Sequence, residues 1–266
     1  MQIRLAVNGA GGRMGRRIVA LGSETGDFRL VAALERPDHP QIGQDAGELA
    51  GVGPLGVALS PEPAGAADVM IDFSLPEGAM RALDVCTSTK TALVTGTTGL
   101  NDEQAHKLEH AARTIAIVHE TNMSVGMNVL FTLVGQVAQL LGEQYDIEIT
   151  EVHHRFKKDA PSGSARTLAR RICQAMNWGF PGAMVHGRSG PDALRQPGTI
   201  GMHALRAGDI TGLHSVIYST LGETVTLSHT AHSRDTFVHG ALRAARWVKG
   251  RPAGLYGMAE VLGLPS

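Results

Sequence analysis

Ile3-Arg4-Leu5-Ala6-Val7, running straight into Asn8-Gly9-Ala10-Gly11-Gly12-Arg13-Met14-Gly15-Arg16-Arg17-Ile18-Val19, decides the fold. The first five residues form an apolar run of strand length, and the residues after the glycines resume as a helix. Strand, glycine loop and helix together are the context in which a glycine motif signals a dinucleotide. Glycines turn the chain tightly and let a pyrophosphate approach the backbone, while Gly15 allows the helix to pack closely. The spacing is Gly9-x-x-Gly12-x-x-Gly15, or Gly9-x-Gly11 with Gly15 one residue late, rather than the strict G-x-G-x-x-G. No Gly-Lys-Ser or Gly-Lys-Thr follows, so a mononucleotide P-loop is excluded.

Working outward, Leu30-Val31-Ala32-Ala33-Leu34 reads as a second strand ending at Glu35-Arg36. Glu35 stands where an acidic residue hydrogen-bonds an adenosine ribose, and Arg36 beside it could hold a 2′-phosphate, which predicts a site accepting NADH or NADPH. Residues 37–67, rich in Pro, Gly and Ala, read as loop with weak strand character. Strands are expected over 67–74, 91–95 and 115–119, with helices from Pro76 to about Cys86 and from Asn101 to Arg113. This alternation implies an α/β fold, a Rossmann-like, doubly wound parallel sheet with right-handed crossovers. Ligands bind such sheets beyond the strand C-termini. Phe73-Ser74, Gly96-Thr97-Thr98 and Thr121-Asn122-Met123-Ser124 all fall at such ends.

The second half changes character. Residues 125–142 are rich in Leu and Val and read as a helix, and Ile147-Glu148-Ile149-Thr150-Glu151-Val152 reads as a strand. A Gly/Pro-rich loop over 187–201 precedes three strand-like runs, 200–206, 215–219 and 224–229. Consecutive strands predict a C-terminal α+β domain with an open mixed sheet, a surface suited to oligomerisation. A helix from Asp235 through Val248 then returns to the first domain. The expected organisation is a dinucleotide-binding domain over 1–124, joined by 234–266, and a substrate-binding and oligomerisation domain over 125–233.

The stretch with most chemistry follows the strand: His153-His154-Arg155-Phe156-Lys157-Lys158-Asp159-Ala160-Pro161-Ser162-Gly163-Ser164-Ala165. If strand geometry persists, His153, Arg155 and Lys157 share one face and His154 points to the other. His153 and Lys157 are then the natural proton-handling pair. Asp159-Ala160-Pro161 reads as a helix start, which would leave the amides of Ser162, Gly163 and Ser164 unpaired in the first turn. That is a site for a carboxylate or phosphate.

Composition bounds the rest. The chain has 266 residues, 43% of them hydrophobic and 18% charged, enough for one large or two modest cores. A formal net charge of -1 argues against a nucleic-acid partner. The 12 histidines show no His-Glu-x-x-His spacing and the cysteines no Cys-x-x-Cys, so no metal is expected. Cys86 and Cys173 give no disulfide framework and suit a reducing compartment. With no signal-peptide layout and no apolar run of membrane length, a soluble cytoplasmic protein is expected.

These motifs, with Asp72-Phe73-Ser74, Gly96-Thr97-Thr98-Gly99, Asn122-Met123-Ser124-Val125-Gly126-Met127-Asn128, Arg206-Ala207-Gly208-Asp209-Ile210 and Ser233-Arg234-Asp235-Thr236-Phe237, make essentially the whole chain resemble the 4-hydroxy-tetrahydrodipicolinate reductase (dihydrodipicolinate reductase) family. The resemblance implies a small cyclic dicarboxylate substrate, hydride from NADH or NADPH, a place in lysine and diaminopimelate biosynthesis, and a homotetramer. It casts His153 as acid/base, Lys157 as proton donor, and His154, Ser162, Gly163, Ser164 and Thr98 as substrate contacts. The cofactor would touch Gly9, Ala10, Gly11, Gly12, Arg13, Met14, Glu35, Arg36, Phe73, Gly96, Thr97, Thr98, Thr121, Asn122, Met123 and Ser124. Three positions depart from the family's pattern: Lys158 where Val is usual, Ser164 for Thr, and Leu213 for a frequent Glu. A catalytically silent dinucleotide sensor would not need a His, a Lys and an anion-ready helix start together. A homoserine- or aspartate-type dehydrogenase is disfavoured by the same arrangement, and no Gly-x-Ser-x-Gly elbow surrounds Ser162.

Overall fold

Alternation of strand and helix carries the chain from Ile3 to His119, in a computed structural model that describes residues 2–63 and 65–264. In order the elements are β1 (Ile3–Asn8), α1 (Arg13–Glu24), β2 (Phe28–Leu34), α2 (Ala46–Ala50), β3 (Leu59–Ser60), β4 (Val69–Asp72), α3 (Pro76–Thr89), β5 (Ala92–Thr95), α4 (Asp102–Ala111) and β6 (Ala116–His119). The chain continues through α5 (Val125–Leu141), β7 (Asp146–His153), α6 (Gly163–Met176), β8 (Met184–His186), β9 (Ile200–Arg206), β10 (Gly212–Thr220) and β11 (Glu223–Ala231). It closes with α7 (Asp235–Val248), β12 (Gly254–Tyr256) and α8 (Met258–Leu262). Two compact units result: Met1–Val125 with Asp235–Gly263, and a second built on Gly126–Arg234.

The first unit is a seven-stranded sheet in the order β12-β6-β5-β4-β1-β2-β3, parallel throughout. This is the doubly wound sheet that the alternation implies. Both faces are covered, so the strands are apolar on both parities. Leu5, Val7, Ile71, Val94 and Val118 belong to the core that includes Ile18 of α1 and Leu242 of α7. Ala6, Met70, Leu93 and Ile117 belong to a second core with Leu83, Cys86 and Leu108 from α3 and α4. Gly240 lets α7 seat on the loop after β6, since a Cβ there would lie 1.7 Å from the Met123 carbonyl oxygen. The strand order reverses between β1 and β4, which places the crevice of a doubly wound sheet beside Gly9.

Residues 37–67 hold more structure than their composition suggests. Asp45 caps α2 by accepting from Gly47 and Glu48, and its carboxylate also gathers the amides of Leu55, Gly56 and Val57. One side chain thus organises a segment with too few apolar residues to declare itself. β12 and α8, after Val248, also go beyond the single returning helix read from the sequence.

The second unit is a five-stranded open mixed sheet, β11-β10-β7-β9-β8, in which β10 runs antiparallel to both neighbours and β7, β9 and β8 are parallel. Its core combines Ile147, Ile149, Ile200, Met202, Val216 and Tyr218 with Leu130, Phe131 and Val134 of α5 and Leu168 and Ile172 of α6. Tyr218 is fully buried and donates its hydroxyl to the Val134 carbonyl at 2.7 Å, so its polar end is satisfied inside the core. The opposite parity of β10 carries Leu213, Ser215, Ile217 and Ser219, all partly exposed. Among the described residues, no helix is long and apolar enough to cross a membrane.

Candidate active site

β7 carries Glu151 and His153 two residues apart, on one face of the strand. Glu151 is buried, and four donors converge on it. His153 donates from Nδ1 to Oε2; Arg206 reaches both oxygens, at 3.0 and 2.9 Å; and the Ser162 amide donates to Oε1 at 3.2 Å. Burial pushes the Glu151 carboxyl up, but the bonds and charges of His153 and Arg206 outweigh it and hold it at about 2. Arg206 arrives from β9, where the parallel register sets it beside His153. It also donates to the Asp159 carbonyl at 2.6 Å.

The strand ends at His153, so the alternation expected through Lys157 does not continue. A turn follows, with the Lys157 amide bonded to the His154 carbonyl, and Arg155 is exposed. Lys157 comes to rest with Nζ on Asp159 Oδ1, 2.9 Å away. Its ammonium and the His153 ring both lie close enough to act electrostatically on His214, whose pKa is lowered to about 3, by burial first and the His153 charge next.

The helix start is also later than the sequence suggests. Asp159-Ala160-Pro161 lies outside α6, and Ser162 is the cap, its Oγ accepting from the Ala165 amide and sharing a 3.1 Å hydrogen bond with His214 Nε2. The Ser162 amide, expected to be unpaired, is taken by Glu151, and the side chain is buried. Ser162 therefore shapes the turn, its amide and hydroxyl both engaged within the protein. A Cβ on Gly163 would meet nothing within 4 Å, so the turn is open on that side.

In the first unit, the glycine loop fits a dinucleotide. A Cβ on Gly15 would stand 2.1 Å from the Gly9 carbonyl oxygen, which lets α1 approach the loop. With Gly12 at the cap of α1, no cap side chain accepts from the first helix amides, leaving the helix start suited to a phosphate. The Gly9 and Ala10 amides bond the Leu34 carbonyl, and the Gly11 amide bonds Glu35 Oε2 at 3.2 Å, so Glu35 sits against the loop. Arg36 pairs with exposed Asp38 at 3.4 Å. His39, which the sequence did not single out, covers the same loop, its Cε1 2.7 Å from where a Gly11 Cβ would be.

At the end of β4, the buried Asp72 carboxylate accepts from Asn8, Ser74, Thr95 and Thr97. The Thr97 hydroxyl is thereby committed inward, while Thr98 is exposed. The Phe73 ring lies against Gly96, where a Cβ would fall 2.6 Å from Cε1. Asn122 Oδ1 accepts from the Ser124 amide at 2.9 Å, and Thr121 donates its amide to Glu120. The side chains of Met123 and Ser124 are buried, so a ligand beside them meets backbone.

Sequence reasoning missed Glu151, Arg206, His214 and Asp72 as site-building groups. The parity of Glu151 with His153 was a usable signal. Arg206 and His214 become neighbours only through strand pairing.

A glycine-loop Rossmann sheet, followed by a unit presenting a carboxylate-held imidazole beside an open helix start, defines a nicotinamide-dependent oxidoreductase. Comparison with known proteins narrows the class. Residues 3–123 match the family model for dihydrodipicolinate reductase, N-terminus, and residues 126–262 that for dihydrodipicolinate reductase, C-terminus. The chain belongs to the dihydrodipicolinate reductase family. It is 46% identical over 267 residues to the 4-hydroxy-tetrahydrodipicolinate reductase of Alkalilimnicola ehrlichii, covering 99% of this chain and 100% of the relative. It is 43% identical over 265 residues to that of Syntrophotalea carbinolica, covering 98% and 99%. Among solved structures, a dipicolinate-bound dihydrodipicolinate reductase from Paenisporosarcina sp. TG-14 shares the fold, with a TM-score of 0.75, 23% identity and 98% and 99% of the two chains covered.

Proposed function

We propose that the chain reduces 4-hydroxy-tetrahydrodipicolinate to tetrahydrodipicolinate with loss of water, in the diaminopimelate route to lysine, as a cytoplasmic homotetramer. The first unit binds the dinucleotide, through the loop from Gly9 to Met14, Glu35, Arg36, and the strand ends at Phe73, Gly96 to Thr98 and Thr121 to Ser124. The second unit binds the dicarboxylate. The partly exposed face of its open sheet, with Leu213 and Ile217 on β10, supports assembly there.

The observation that carries this reading is the imidazole of His153, held by Glu151 at the foot of the α6 turn. When bound, the reduced nicotinamide supplies a hydride. Electron density then moves onto the ring, and the protein must deliver a proton and hold the dicarboxylate while hydroxide leaves as water. In this reading His153 and Lys157 handle that proton. Gly163 and Ser164 at the α6 start, with His154, hold the carboxylates, helped by the positive end of the helix. Lys158 adds charge near the same turn.

Two variants test the assignment. His153→Gln is expected to lose about 10²-fold or more in turnover with NADH binding unchanged; normal turnover would remove His153 from the chemistry. Arg36→Ala is expected to weaken NADPH by about tenfold through loss of charge-assisted hydrogen bonds, and NADH much less. Equal effects in fluorescence titrations would mean that Arg36 does not face the 2′-phosphate.

A further inference from the structure

We infer that Glu151 is the positioning residue of this site, a single carboxylate that fixes the His153 imidazole and the start of α6 relative to each other. The inference rests on the roles given above to His153 and the α6 turn, and deepens them. Oε2 takes the proton-bearing Nδ1 of His153, and Oε1 takes the Ser162 amide at 3.2 Å, so one rigid group spans the proton-handling ring and the carboxylate-binding turn. Glu151 is 1% exposed and cannot drift into solvent. Arg206 grips both oxygens and is itself tied to the Asp159 carbonyl, which locks the carboxylate's plane.

The ring is confined on its other side as well. A Cβ on Gly212 would stand 3.2 Å from His153 Nε2, and the His214 ring meets the imidazole edge-on at 5.1 Å between centroids. A carboxylate only accepts, so the neutral imidazole must carry its proton on Nδ1, leaving Nε2 as the atom that exchanges a proton with the ligand. A different tautomer would present the wrong atom to the substrate. Glu151 therefore acts through His153 and the turn, without touching substrate.

The tautomer of His153 can be read in the full-length wild-type protein. Long-range ¹H–¹⁵N spectra at alkaline pH, with the His153 signal identified by its absence in His153→Asn, should show the proton on Nδ1. A proton on Nε2 would overturn the inference without need of any Glu151 variant. In Glu151→Gln one oxygen becomes an NH2 group, and at the Oε2 position it turns a donor toward His153 Nδ1 in place of the acceptor. Turnover should then fall by about 10- to 10²-fold, the Nδ1 preference should be lost, and NADH binding should be unchanged. Glu151→Asp, which keeps the charge, should recover part of the turnover. Wild-type turnover and tautomer in Glu151→Gln would overturn the inference. If Glu151→Gln fails to fold, the wild-type spectrum decides. If instead His153→Gln turns over normally, the role of His153 falls while the tautomer result stands, so the two failures are distinguishable.

Discussion

Lys157→Ala should lower turnover by about 10²- to 10⁴-fold, the range expected when a positioned proton donor is removed. Lys157 is held on Asp159 at 2.9 Å, and Asp159 is in turn anchored through its carbonyl to Arg206. The ammonium is thus placed by the same guanidinium that fixes Glu151. In the role proposed for it, its removal takes away a proton source and a positive charge, so both kcat and kcat/KM should fall. The dinucleotide loop belongs to the other unit, so NADH titration by fluorescence should be unaffected. Normal turnover in this variant would remove Lys157 from the mechanism. A rise in KM with kcat unchanged would make it a binding group only.

The second large effect should come from Gly15→Ala. The added Cβ would lie 2.1 Å from the Gly9 carbonyl oxygen and 2.6 Å from the Ala10 Cα, both backbone atoms that no rotamer change can move aside. Either α1 tilts away from the loop or the turn after β1 opens. Overpacking of this kind costs about 1–3 kcal/mol or more, and it displaces the helix start that a pyrophosphate needs. The variant should melt earlier than wild type and bind no NADH detectably. Gly163→Ala is the useful contrast, because a Cβ there meets nothing within 4 Å. If Gly163→Ala keeps its stability but loses turnover, the ligand alone explains the glycine. If Gly15→Ala melts and binds NADH normally, the close approach of α1 to the loop is not needed for the cofactor.

What the sequence made legible is what local pattern determines. The β1 run and its glycines sit within twenty residues of each other, and each strand's apolar character reflects a sheet covered on both faces. The His-Lys stretch could be singled out because its polar residues are contiguous. The places where the reading slipped depend on distant partners. The start of α6 shifted to Gly163 because Ser162 finds the Ala165 amide and His214, the latter 52 residues away on β10. The segment over 37–67 took shape because Asp45 collects amides as far on as Val57. The parity expected for Arg155 and Lys157 failed because a turn closes on the His154 carbonyl. Glu151 and Arg206 meet only once β7 and β9 pair in parallel register, which periodicity does not encode.

The most direct measurement of the whole account is NAD(P)H oxidation followed at 340 nm, with the substrate generated in place by condensing pyruvate with aspartate semialdehyde. Rapid oxidation that requires both precursors is the predicted result, and the ratio of NADH to NADPH rates would report what Glu35 and Arg36 select. Intact NADH binding with no oxidation would contradict the account, leaving a dinucleotide-binding protein with a changed substrate or none.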